Sequence, residues 1–168
     1  MISHQHISLE ELYDRFSHLV YRRCFVLLGN QADAEDALQE VYVKALHALD
    51  SFKGESSPMT WLYRIATNHC LNVIRSNKRR NIRHQRQAAF GDFPKSVSAE
   101  KMEVAAIVRQ VLPRFNEKTQ RMAICYFVDG MGQEEIATQE GLSVPTVRKR
   151  LKSFIAKANK VLEGLDKK

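Results

Sequence analysis

Glycine and proline are scarce in this chain, seven and four among 168 residues, so few positions can interrupt regular structure. The three cysteines, Cys24, Cys70 and Cys125, are odd in number, far apart and set in apolar stretches. That usage fits reduced thiols packed as small hydrophobes, not a disulfide framework, and places the chain in the cytoplasm. Apolar runs are only a few residues long, far short of the ~18–20 that cross a bilayer, so no membrane insertion is expected. The start, Met1-Ile-Ser-His-Gln-His, lacks the basic and apolar regions of a secretory signal. No glycine-rich phosphate loop is present, and no Ser/His/Asp or Cys/His arrangement can be inferred from spacing. Catalysis by the chain itself, and a cofactor, are therefore not expected. His69-Cys70 and His4-x-His6 have no second ligand pair at metal-binding spacing, so no metal site is expected. Finally, there is no Asp or Glu from 59 to 90.

What is there is a helical pattern and a segregated charge. Hydrophobic residues make up 44% and charged residues 27%, which excludes wholesale disorder. The net charge of +7 averages unlike segments: residues 1–58 carry nine acids and five bases, 59–90 carry seven bases, and 101–168 carry eight acids and thirteen bases. A uniformly solubilising surface would not need that segregation. Leu12, Phe16, Leu19, Val20, Cys24, Leu27 and Leu28 recur with helical period, predicting a helix over 9–28 that Gly29-Asn30 stops. A second helix starts at Asp33, with Ala34, Ala37, Leu38, Val41, Ala45 and Leu49 on its stripe. A third opens at Pro58, a residue suited to the first helical turn, and is expected to bury Trp61, Leu62, Ile65, Ala66, Cys70, Val73 and Ile74.

The period fades after Arg80. Residues 81–99 are basic, then rich in Gly, Pro and Ser, and read as a flexible linker between a domain over 1–80 and another over 100–168. The expected fold is all-α, two small helical domains. In the second, one stripe holds Val104, Ile107, Val108, Val111 and Leu112, and a further helix carries Arg121, Met122, Ile124, Cys125 and Phe127. Residues 132–141 form a short helix stopped by Gly141, Ser143 caps the next, and Pro145 lies in its first turn. With Ile136, Ala137, Leu142, Val147 and Leu151 as a small core, this is the layout of a helix-turn-helix, whose second helix enters the major groove. Its outward residues are Thr146, Arg148, Lys149, Arg150, Lys152 and Ser153, able to reach base edges or phosphates.

The first domain has two unlike faces. Asp33, Asp36 and Glu40 share one face of the second helix, with Gln39 beside it. The helix dipole accounts for acids in the first turn but not for Glu40. An acidic face does not favour DNA and suits a basic protein surface. On the third helix Arg64, Asn68, Asn72, Arg75 and Arg79 step by four, four, three and four, one polar stripe about 22 Å long. Amides between arginines suit base edges, unpaired bases and phosphates. Trp61 suits the core better than a stacking platform.

Together these residues resemble the extracytoplasmic-function sigma factors of bacterial RNA polymerase, over about residues 8–163. Leu12-Tyr-Asp-Arg-Phe, Asp33-Ala-Glu-Asp-Ala-Leu-Gln-Glu-Val-Tyr-Val-Lys-Ala and Leu49-Asp-Ser-Phe-Lys-Gly-Glu-Ser-Ser-Pro-Met-Thr-Trp-Leu-Tyr-Arg-Ile-Ala-Thr-Asn are similar to the family's second conserved region, and residues 100–163 to its fourth. The resemblance implies promoter recognition and melting with core polymerase. Asp33, Asp36, Gln39 and Glu40 would dock on the β′ clamp helices. Phe52, Lys53, Gly54, Glu55, Ser56 and Ser57 would capture a flipped base of the −10 element. Trp61, Arg64, Asn68, Asn72, Arg75 and Arg79 would complete the −10 face, and the outward residues of the last helix would read the −35 element. The apolar surface of the 101–128 helices would seat the β flap, the linker would thread toward the polymerase channels, and an anti-sigma factor would hold the protein inactive. Asn72 stands where many members carry Asp, Ser153 where Arg is common, and Lys157-Ala-Asn-Lys replaces an Arg-Ala-rich end. Read from the residues alone, a stand-alone helix-turn-helix regulator and an interaction adaptor remain open.

Overall fold

The computed structural model describes residues 7–80 and 98–165, with side chains described for 7–76 and 98–164. Contacts divide the chain into two compact units, Met1–Val97 and Ser98–Lys168. Every regular element among the described residues is helical. Residues 81–97 of the expected linker, and His4 and His6, lie outside the described residues.

In the first unit, α1 spans Leu9–Leu28. Its start is a reciprocal capping box: Ser8 Oγ accepts from the Glu11 N–H at 3.1 Å, and Glu11 Oε2 accepts from the Ser8 N–H at 2.9 Å. Gly29 ends it in the left-handed region, φ 83°, its N–H bonded to Phe25 O at 2.8 Å. α2 runs Gln31–Ala48, two residues earlier than the charge pattern suggested. Asn30 is not only part of the stop; its Oδ1 accepts from the Asp33 N–H at 2.8 Å and caps the new helix. A 3₁₀ turn, Leu49–Ser51, leads to the loop before α3, Pro58–Arg80.

α1 packs against both α2 and α3. The seam is built from Leu12, Val20, Cys24 and Leu27 of α1, Ala34, Ala37, Val41 and Ala45 of α2, and Leu62, Ala66, Cys70 and Leu71 of α3. Each large aliphatic removed from water contributes roughly 1.5–3 kcal/mol, and the alanines bring the helices close. The buried line of α3 is narrower than its periodicity suggested. Trp61, Ile65, Val73 and Ile74 are only half-buried, while Thr67 and Leu71 are buried. Among the described residues only α1 and α2 pack on α3, so apolar residues on its flank keep contact with solvent.

The second unit opens with α4, Ala99–Val111, capped by Ser98. A 3₁₀ turn, Leu112–Arg114, follows, then α5, Glu117–Ala123, which continues as a π turn over Ile124–Val128. Gln120, 2% exposed, ties these pieces together: its Nε2 donates to Leu112 O at 2.8 Å and Phe115 O at 3.0 Å. α6 is Gln133–Glu140 and α7 is Val144–Leu165. Gly141, φ 62°, makes the turn between them, where Leu142 N–H reaches Ala137 O at 2.9 Å. The core here is Ile136, Ala137, Val147 and Leu151 together with Met122 and Cys125. Leu142 lies at its rim, partly buried. The expected core of the turn is thus closed from below by α5 and its π turn. No described helix is long and apolar enough to cross a membrane.

Candidate nucleic-acid and protein interfaces

The outer face of α3 presents Arg64, Asn68 and Asn72 to solvent. They share a face because steps of four residues on a 100° helix return nearly to the same direction. Arg75, half-buried, is drawn back toward its own helix: its Nε donates to Leu71 O at 3.2 Å. The side chain of Arg79 lies outside the described residues.

The loop before α3 is moored at both ends. At its start the Phe52 N–H bonds Leu49 O at 3.0 Å, and the Phe52 ring stacks on Trp61 with centroids 4.9 Å apart and planes tilted 37°. At its end Ser57 Oγ accepts from the Thr60 N–H at 3.1 Å and caps α3. Between the moorings Lys53, Gly54 and Glu55 are exposed and Ser56 is half-buried. Gly54 sits at φ 71°, and a Cβ at this position would meet nothing within 4 Å, so conformation and not space selects glycine there. Trp61 is neither core nor free platform; it is the wall on which the loop's aromatic residue rests.

Behind this face lie contacts that periodicity did not announce. Lys44 of α2 reaches across to α3, its Nζ 2.7 Å from His69 Nδ1. Burial, then the Lys44 ammonium, push the His69 pKa down from 6.5, against a smaller opposing pull from Glu40. The ring is therefore neutral and accepts at Nδ1. Arg23 of α1 is 7% exposed, and its Nε donates to Thr67 Oγ1 at 2.9 Å. The sequence shows two arginines, Arg22 and Arg23, between Val20 and Cys24, and only the packing decides that Arg23 is the enclosed one and Arg22 the half-buried one. Nothing in the sequence pairs Lys44 with His69, 25 residues apart.

On α2 Asp36, Gln39 and Glu40 are exposed, as is Glu35. Asp33 is half-buried and belongs to the cap, its Oδ2 accepting from Asn30 Nδ2 at 2.7 Å. The acidic face continues into two exposed apolar residues, Val43 at 47% and Leu46 at 54%. Helical steps of three and four from Asp36 and Gln39 lead to them, a signal legible in the sequence. Acid beside exposed aliphatic surface suits a protein partner and not a polyanion.

On α7 the buried stripe is Val147, Leu151, Phe154 and Ala158. Opposite and beside it Arg148, Lys149, Lys152 and Ser153 are exposed. Arg148 Nε donates to Gln133 Oε1 of α6 at 3.3 Å. Thr146 is half-buried, its hydroxyl 2.8 Å from Ser143 Oγ at the helix start. Arg150 is half-buried with Nη1 enclosed and without a hydrogen-bond partner, so it flanks the exposed face. The π turn brings Cys125 beside Gln139 of α6, whose Nε2 is 3.6 Å from Sγ, and Arg121 joins α5 to Glu140 of α6 at 3.2 Å. These two ties hold α6 on α5 and its π turn, while the Arg148–Gln133 bond links α6 to α7. Among the described residues no group of three or more His, Cys, Asp or Glu could hold a metal ion.

Comparison with known proteins matches residues 12–80 to the Sigma-70 region 2 family. The chain is 35% identical over 130 residues to the ECF RNA polymerase sigma-E factor of Escherichia coli (strain K12), covering 71% of this chain and 68% of that protein. It is 26% identical over 156 residues to the ECF RNA polymerase sigma factor SigW of Bacillus subtilis (strain 168), covering 86% and 83%. Its fold is similar to that of the sigma factor RpoE crystallised with the anti-sigma factor NepR from Bartonella quintana, with TM-score 0.57, 17% identity and coverage of 92% and 96%.

Proposed function

The chain belongs to the extracytoplasmic-function sigma factors, initiation factors of bacterial RNA polymerase and not enzymes, and from that premise we propose how its surfaces divide the work. The exposed acids Asp36 and Glu40, the amide Gln39 and the aliphatics Val43 and Leu46 of α2 dock on core polymerase at the β′ clamp helices. The 52–57 loop captures an unstacked base of the −10 element, and Arg64, Asn68 and Asn72 hold the separating strand. Capture offsets an unstacking cost of a few kcal/mol. Arg148, Lys149, Lys152 and Ser153 of α7 read the −35 element, with Thr146 and Arg150 at the margin of that face. The second unit's apolar surface seats the β flap. The division of the chain follows from this: residues 1–80 serve core and −10, residues 100–168 serve −35, and 81–99 join them. Because two small sites on one chain gain affinity only when their spacing is set, the free protein binds promoter DNA weakly. It works in the cytoplasm, where the polymerase is, and an anti-sigma factor restrains it by covering these same surfaces.

The observation that carries this reading is the opposition of charge within one unit: acid and aliphatic on α2, Arg and Asn without acid on α3. The test is transcription in vitro with core polymerase on a promoter selected by the wild-type holoenzyme from a library randomised at −10 and −35. Asn68→Ala and Arg148→Ala are expected to abolish the specific transcript. Full activity of both overturns the assignment of sites. Tight promoter binding without core enzyme would instead favour a stand-alone regulator.

A further inference from the structure

Arg23 is a cation where an aliphatic would serve. It lies at 7% exposure between Val20 and Cys24, both fully buried, in the seam between α1 and α3. Arginine is rarely buried to this extent, and replacing a buried polar cluster by well-packed hydrophobic residues is often neutral or stabilising. Stability is therefore a poor reason for it to be there.

Its contacts supply a better one. The Nε–H points at Thr67 Oγ1, 2.9 Å away, and Cζ sits 4.5 Å from the centroid of the Tyr63 ring. The Thr67 hydroxyl in turn donates to Tyr63 O at 2.7 Å. Tyr63 and Thr67 are one turn apart on α3, so a planar, directional group grips that helix at two points on its inner face. Arg64 and Asn68 are the very next residues, about 100° further round. Hydrophobic packing is non-directional and leaves a helix some freedom to roll; the guanidinium does not. At the outer radius of a helix, about 6 Å, a roll of roughly 10° moves a side-chain tip by about 1 Å. Binding constellations tolerate only about 0.5 Å.

We propose that Arg23 is a positioning residue for promoter opening: by gripping Tyr63 and Thr67 it sets the rotation of α3 that aims Arg64 and Asn68 at the −10 strand. The inference rests on the −10 reading of α3 given above. It touches no DNA itself.

The test uses holoenzyme reconstituted with core polymerase and the selected promoter. Arg23→Leu removes the grip while filling the seam, and Thr67 keeps its donor bond to Tyr63 O. It is expected to melt within a few degrees of wild type and to bind core polymerase and a −35 duplex within about twofold. Affinity for a single-stranded −10 oligonucleotide, and the rate of open-complex formation, are expected to fall at least about tenfold. Arg23→Lys, which keeps the charge without the planar fork, is expected to show the same loss; rescue by Lys would overturn positioning in favour of charge alone. Opening by Arg23→Leu within about twofold of wild type overturns the proposal, as does a loss spread equally over core and −35 binding. If Arg23→Leu does not fold, Thr67→Val is judged by the same outcomes. Asn68→Ala runs alongside. Loss there with retention in Arg23→Leu refutes only the role of Arg23, whereas full activity in Asn68→Ala refutes the −10 reading and this inference with it.

Discussion

Removing Lys149 and Lys152 together should flatten the salt dependence of −35 binding. Both are exposed on α7 and stand on the side away from Val147, Leu151, Phe154 and Ala158. Their neighbours are differently placed: Arg148 is tethered to Gln133 and Arg150 has an enclosed Nη1. The two lysines are therefore the side chains freest to follow the phosphate backbone. Each phosphate neutralised contributes about 0.9 to the slope of log affinity against log salt, so losing both should reduce the slope by about 1.8. Between about 50 and about 200 mM salt, wild-type affinity should then fall about tenfold more than that of Lys149→Ala with Lys152→Ala. The stability cost is small, within about 0.5 kcal/mol, because neither side chain is buried. The assay is fluorescence anisotropy of a labelled −35 duplex titrated with holoenzyme across that salt range, with a thermal melt as control. Parallel slopes for the two proteins would refute the reasoning and mark the lysines as a solvated face.

Three further outcomes follow from the geometry. Phe52→Ala takes away the ring stacked on Trp61 at 4.9 Å; it should slow promoter opening about tenfold while leaving core binding unchanged, as single-round transcription would register, and an unchanged opening rate would count against the mooring. Leu151→Ala, at a site 3% exposed, should cost about 2–5 kcal/mol and melt the second unit early, read by circular dichroism. For His69, whose folded pKa lies below 6.5, the unfolded chain takes up the proton more readily. Its contribution to stability is thus full above about 6.5 and is lost as pH falls through the lower folded value; a series of melts from neutral to acidic pH should show that decline, and His69→Gln should lessen it.

The helices were largely legible because their causes are local. Ser8 with Glu11, Asn30 with Asp33, Gly29 and Gly141 act within three to five residues of themselves, and the 3.6-residue period needs no partner to be seen. The helix-turn-helix was legible for the same reason, although Leu142 proved peripheral and Met122 and Cys125 central. The π turn at Ile124–Val128 was not, since its sequence reads as ordinary helix.

Sequence by itself determined the order of the helices and the local signals that start and stop most of them, that acid is collected on one helix and Arg and Asn on another, and, through Asp33-Ala-Glu-Asp and Thr60-Trp-Leu-Tyr-Arg-Ile-Ala-Thr-Asn, the family. Tertiary structure decided which flank residues are covered. It left Trp61 and Ile65 half-open, enclosed Arg23 on Tyr63 and Thr67, joined Lys44 to His69, and withdrew Asp33, Arg75 and Arg150 from faces on which helical phase alone had placed them. The physical reason is range. Helical phase arises from hydrogen bonds four residues apart, whereas the burial of a side chain depends on which neighbouring helix lies over it, 25 or 44 residues away along the chain.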